Sequence, residues 1–129
     1  MKRVLVVAGA LLLSIGAVVA EQDVANQTQT TMKATGRAMG AVLGPMFKGE
    51  KPYDQAAVDT ALTQLADTAK KLPTMFPESI KGLKIEGDYS SSPKVWEDKA
   101  GFAAKIDSFA KVATEAKAKI KDLDSLKAT

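Results

Sequence analysis

The chain has 129 residues, 18 Lys and Arg against 15 Asp and Glu, and neither Cys nor His. Without thiolate or imidazole, these residues can build no Cys/His zinc site, no disulfide, no Ser-His-Asp or Cys-His nucleophile and no covalent c-type haem attachment. A hydrophobic content of 46% with 26% charged residues is ordinary for one folded domain.

Composition shifts sharply at the N-terminus. Lys2 and Arg3 precede an almost unbroken apolar run from Val4 to Val19, and small Ala20 stands before polar Glu21-Gln22-Asp23. This order predicts a secretory signal peptide over residues 1–20, cleaved after Ala20, with export to the periplasm and no membrane anchor afterwards. The run falls only slightly short of a membrane-spanning length, so an uncleaved anchor is the competing reading. Cleavage removes Lys2 and Arg3 and leaves 16 basic residues against 15 acidic ones in the domain 21–129. A near-neutral domain with interspersed charges has no electrostatic footprint for nucleic acid.

The spacing predicts a first helix from about Gln22 to Phe47, with Met32, Met39, Val42, Leu43 and Met46 on one face. Its start, Ala25 to Thr31, is polar all round and is expected to fray or to face something other than aliphatic side chains. Gly36, Gly40 and Gly44 form a small-residue stripe that suits close helix packing or a dimer face. Gly49 and Pro52 end the helix in the order of a left-handed cap and a residue that cannot continue it.

Asp54 is a good N-cap for a second helix, and Val58, Leu62, Leu65, Ala69 and Leu72 follow on a clean bundle seam. Pro73 and Pro77 stop it. The crossover to Ser92 carries turn signals at Gly82, Gly87 and Ser90-Ser91-Ser92, pinned by Phe76, Ile80, Leu83 and Ile85. Ser92-Pro93 then opens a third helix, in which Phe102, Ile106, Phe109, Ala113, Ala116 and Ile120 run at helical spacing. Asp122 starts a fourth in Asp-Leu-Asp-Ser-Leu, and the sequence stops at Thr129. Fewer than two turns make no stable isolated helix, so this element is expected to be a stub.

The order of these signals resembles the cytochrome c prime family, including its low-spin, Met-ligated relatives. The residues that carry the resemblance are Gln29 with Met32-Lys33-Ala34, Lys48-Gly49-Glu50-Lys51-Pro52-Tyr53-Asp54, Leu72-Pro73, Phe76-Pro77, Val95-Trp96-Glu97-Asp98 and Asp122-Leu123-Asp124-Ser125-Leu126. The resemblance implies an all-α, antiparallel four-helix bundle that holds one haem c, often as a homodimer, and passes electrons to a redox partner. That family attaches haem through a Cys-x-x-Cys-His motif on the fourth helix, and no such motif occurs here. The expectation is therefore a C-terminally incomplete member whose fourth helix is truncated to a stub.

Met32 matches the position where low-spin relatives place the sixth iron ligand, and a thioether suits haem iron. As one of three methionines on a stripe, it also reads as core filler. Gln29, Phe76, Trp96 and Phe102 complete the possible haem pocket, the three aromatics as a dry wall or as ordinary bundle packing. Many relatives carry arginine where this chain has Thr28. Tyr53 reads as a packing residue near a cap.

The carboxylate clusters Glu97-Asp98, Asp122 with Asp124, and Glu86 with Asp88 lie near helix starts or in a loop, where acidic residues favour the macrodipole. No enzyme is expected. Lys111, Lys117, Lys119 and Lys121 read as a solvated face. The alternative to a haem protein is a haem-free exported bundle that binds an apolar ligand or a partner helix in an exposed groove.

Overall fold

In the computed structural model the backbone is described for residues 2–83 and 91–129, and side chains from residue 19 onward within those spans. Ile85, Glu86, Gly87 and Asp88 lie outside the described residues. The described residues are all-helical, and three long arms pack as a bundle with a short fourth.

The first arm is α1 (Lys2–Arg37), a π-helical segment (Ala38–Leu43) and α2 (Gly44–Lys48). The helix is continuous through residues 20 and 21, so the start expected near Gln22 is not a break in the backbone. Its buried face runs through Ala25, Thr28, Ala38, Leu43 and Met46, with Met32 and Thr35 half-buried between them. The step of five from Ala38 to Leu43 is the signature of the π segment, where hydrogen bonds reach one residue further than in an α-helix. That extra residue corrects one expectation. Met39 leaves the core face and is 51% exposed, while Leu43 and Met46 stay buried. The polar start does not fray: Ala25 and Thr28 are buried, and only Asn26, Gln27 and Thr30 around them are exposed.

Gly49 closes the arm in the left-handed region at φ 78°, and its N–H donates to the Met46 carbonyl. A side chain there is strained, which is why glycine occupies it. Asp54 then caps α3 (Gln55–Lys71) by accepting from the Ala57 N–H at 3.2 Å. Val58, Leu62, Leu65 and Ala69 are buried along α3, joined by Ala61 and Thr68. Leu72, at the entry to a 3-10 turn (Leu72–Thr74), is buried too. A second 3-10 turn (Glu78–Ile80) seats Ile80 against Ala25 and Trp96.

The third arm departs from a single helix. It opens as α4 (Lys94–Glu97), breaks at Asp98, and resumes as α5 (Lys99–Lys119). Asp98 sits outside helical geometry and caps α5 by accepting from the Gly101 N–H at 2.9 Å. Its acidic side chain is thus a cap, in keeping with the helix-start reading.

α6 (Leu123–Ala128) is the short fourth element. It carries a full capping box: the Ser125 N–H donates to the Asp122 carboxylate at 2.8 Å, and the Ser125 hydroxyl accepts from the Asp122 N–H at 3.0 Å. Leu126 is buried against the α3 and α5 core of Val58, Leu62, Leu65, Ala113, Ala116 and Ile120. Burying a Val, Leu or Ile side chain stabilises by about 1.5–3 kcal/mol each. This cluster is therefore the main source of cohesion.

Two predictions follow from this packing. Leu62→Ala should destabilise the chain by about 2–5 kcal/mol, measured by denaturant unfolding, because it opens a cavity at the α3–α5 contact. The Ser125 bonds hold the Asp122 carboxyl below its ordinary 3.8. A depressed carboxyl contributes stability above its unfolded value and loses it as pH falls through the folded one. Acid titration should therefore loosen α6 below about pH 4, and Asp122→Asn should remove that part of the pH dependence when followed by amide exchange at Leu126.

Candidate haem-facing site

The site lies at the end of the bundle away from α6. The 3-10 turn after α3 swings Leu72, Met75 and Phe76 toward the first arm, while α5 presents Phe102, Ile106 and Phe109. Leu72, Met75 and Ile106 are buried, and Met32, Phe76, Phe102 and Phe109 pack onto them. Phe76 and Phe102 meet edge to face, with ring centroids 5.3 Å apart and planes at 89°. This geometry matches the ring quadrupoles and adds about 0.5–1.5 kcal/mol beyond area burial.

Trp96 closes the neighbouring cluster with Ala25 and Ile80. Its indole N–H donates to the carbonyls of Phe76 at 3.1 Å and Pro77 at 3.3 Å, so the polar edge is satisfied while the ring stays buried. The bond also ties the crossover to α4. Phe76, Trp96, Phe102 and Ile106 line one cavity of about 370 Å³, together with Pro73, Pro77, Val95 and Ala103. Glu78 and Lys99 pair at its mouth, 2.6 Å apart, and Lys99 holds the Glu78 carboxyl below its usual range. Both groups are exposed, so the pair contributes little to stability.

Of the five residues singled out by sequence, Phe76, Trp96 and Phe102 share this cavity. Met32 packs on the same hydrophobic cluster from α1. Gln29 is half-buried three residues earlier on that helix. Thr28 is buried, and its hydroxyl donates to the Met75 carbonyl at 2.7 Å. Its polar group is thereby spent on the fold. Two turns on, the Thr35 and Thr68 hydroxyl oxygens stand 3.0 Å apart and stitch α1 to α3.

Met75 is the residue that sequence reasoning missed. It lies between Pro73 and Pro77, where no helical period marks a core position, and the pairing with Thr28 is a contact 47 residues apart in the chain. A proline-bracketed methionine is the only local signal.

Among the described residues no group of three or more His, Cys, Asp or Glu side chains is placed to hold a metal ion. The residues fit one part of a haem site and not another. The cavity offers an aromatic, largely apolar wall for a ring edge, and Met32 offers a soft donor beside it. Nothing offers the two thioether links or the proximal imidazole, because the chain has no Cys and no His.

Thr28→Val should cost about 1–3 kcal/mol in denaturant unfolding, since it leaves the Met75 carbonyl without its donor in a buried setting. Thr28→Ser should recover most of that loss.

The cytochrome C' family model matches residues 23–129. The chain is 57% identical over 129 residues to cytochrome c-556 of Rhodopseudomonas palustris, covering 99% of this chain and 86% of that protein. It is 41% identical over 128 residues to cytochrome c-555 of Bradyrhizobium diazoefficiens, covering 99% of this chain and 86% of the relative. Among solved structures, an NMR-validated structural model of oxidized R. palustris cytochrome c556 superposes with a TM-score of 0.72 at 57% identity, covering 83% of each chain. Cytochrome c' from the same organism superposes with a TM-score of 0.72 at 42% identity, covering 82% of each chain.

Proposed function

This chain belongs to the cytochrome c′ family, and from that premise we propose that residues 21–129 carry the haem-facing wall of a periplasmic electron carrier, with Met32 as the sixth-ligand donor. It is a relative without the haem-attachment motif, and its family role is electron transfer rather than catalysis. The observation that carries the reading is the convergence of Phe76, Trp96 and Phe102 on one cavity, with Met32 packed against the adjoining cluster. A bound haem supplies a one-electron iron couple. The chain's own residues supply exclusion of water from the ring edge and a soft donor, and they supply no covalent link.

Export to the periplasm is supported by the Lys2-Arg3 start, the apolar run to Val19 and the small residue at Ala20. Among residues 19–83 and 91–129, whose side chains are described, no helix is long and apolar enough to cross a membrane.

The test is a hemin titration of the purified chain. Trp96 is the single tryptophan, and its emission should be quenched as hemin enters the adjoining cavity. A shifted Soret band should change in Met32→Ala. Denaturing electrophoresis with a haem stain should show no band, since no covalent bond can form. An unquenched Trp96 sinks the placement of the pocket; a spectrum indifferent to Met32→Ala sinks the ligand assignment.

A second reading, the haem-free bundle that binds an apolar ligand, is favoured by a different surface. A groove of about 460 Å³ runs between the first arm, α3 and α5, with Leu43, Leu62, Leu65, Phe109 and Leu126 along its floor. Met39, Phe47 and Val112 also line it and are 51%, 51% and 58% exposed. Under that reading an apolar dye binds, Val112→Lys abolishes the signal, and hemin leaves Trp96 emission unchanged.

A further inference from the structure

We propose that the cavity between the crossover and the start of α5 binds a small aromatic carboxylate, its ring against Phe76, Trp96 and Phe102 and its anion on Lys99. The inference rests on the reading of this cavity as a seat for a flat ring, and narrows it to a free ligand that needs neither iron nor porphyrin. These four residues and Glu78 all line the one cavity of about 370 Å³. That volume stands near the small end of the ~300–1,000 Å³ typical of ligand pockets, which suits one or two rings rather than a long chain. The Phe76 and Phe102 rings already meet edge to face at 5.3 Å, and a further ring can join them through the same quadrupole complementarity. The Trp96 indole N–H is bonded to the Phe76 and Pro77 carbonyls, so that ring is held in place before any ligand arrives.

Charge at the mouth selects the sign. The Glu78 carboxylate stands 2.6 Å from the Lys99 ammonium and so marks where a ligand carboxylate would sit. Lys99 first, and Lys81 after it, hold that carboxyl below its usual range, so two ammonium groups act on one carboxylate. Among the described residues the neighbouring charges are engaged elsewhere: Glu97 pairs with Lys94 at 3.5 Å, and Asp98 caps α5. The surplus at the mouth is therefore positive, which attracts an anion and disfavours a cation. Glu78 and Lys99 are both exposed, and an exposed pair contributes little to stability. A ligand carboxylate can thus replace Glu78 on Lys99 at small cost, while burial of its ring supplies the driving force.

The experiment is an NMR titration of the whole chain with naphthoate, read at the one indole N–H resonance, that of Trp96. The resonance should shift and saturate, and the neutral naphthyl alcohol should bind about two- to fivefold more weakly, the worth of one solvated ion pair. Lys99→Gln, a surface change, should weaken naphthoate by the same factor and leave the alcohol unchanged. Glu78→Gln should tighten naphthoate, because Lys99 loses its competing partner. Added salt should erase most of the difference between acid and alcohol. The proposal is overturned by the absence of a saturable shift, by alcohol bound as tightly as naphthoate, or by tighter binding of the naphthylmethyl ammonium ion. Unchanged naphthoate affinity in Lys99→Gln, or weaker affinity in Glu78→Gln, overturns it equally. Hemin that leaves Trp96 emission unquenched while naphthoate enters the cavity overturns the haem placement alone.

Discussion

The first arm has to satisfy two different neighbourhoods with one helix, and the π segment at Ala38–Leu43 is how it does so. Before it, the buried face of Ala25, Thr28, Met32 and Thr35 meets the end of α3 and the crossover. After it, Leu43 and Met46 join the α3 and α5 core that also holds Leu126. A strict 3.6-residue period carries a face slowly round the helix axis, whereas one inserted residue re-phases it within a turn. The core at the α6 end and the aromatic site at the far end can then both be served by one unbroken backbone. Met39 bears the consequence, turned outward with half its surface exposed.

The junction of α1 with α3 and the crossover is stitched by hydroxyls where bulk alone leaves register loose. Thr28 to the Met75 carbonyl and Thr35 beside Thr68 are directional contacts between elements. Two apolar faces can slide past each other at small cost, but a buried hydroxyl that loses its partner costs about 1–3 kcal/mol. Among the described residues no buried side-chain nitrogen or oxygen lacks a hydrogen-bond partner. These threonines therefore set where Met75 and Phe76 stand relative to Met32. The Trp96 indole does the same for the crossover and α4. The aromatic wall of Phe76 and Trp96 is thus positioned by polar bonds behind it.

Much of this was legible in the order of residues. The α3 seam from Val58 to Leu72, the caps at Asp54 and Asp122, the left-handed Gly49 and the stripe on α5 are local features, readable from spacing and side-chain chemistry. The misses share a cause. The π segment depends on tertiary demands at both ends of the first arm, and no residue in Ala38–Leu43 announces it. The break at Asp98 was hidden because Glu97-Asp98 read equally well as the first turn of a continuing helix. Met75 sits in a segment without period, and only a contact spanning 47 residues brings it to the site. The three aromatics were legible one by one; their convergence was legible only through the family pattern.

The absence of Cys and His separates two things that the family pattern joins. The helical framework needs only apolar seams, caps and a few hydroxyls, and it assembles here without either residue. Covalent haem attachment needs thiols and an imidazole, and no arrangement of this composition supplies them. What stays behind is an aromatic wall of Phe76, Trp96 and Phe102, with Met32 packed on the adjoining cluster. A neutral sulfur donor binds without releasing a proton, so any affinity at Met32 should be insensitive to pH where a thiolate or imidazole site is not. Around that wall Glu78 is paired with Lys99 at the surface and the Thr28 hydroxyl is bonded to the Met75 carbonyl, so these polar groups have partners within the fold and the aromatic face stays apolar.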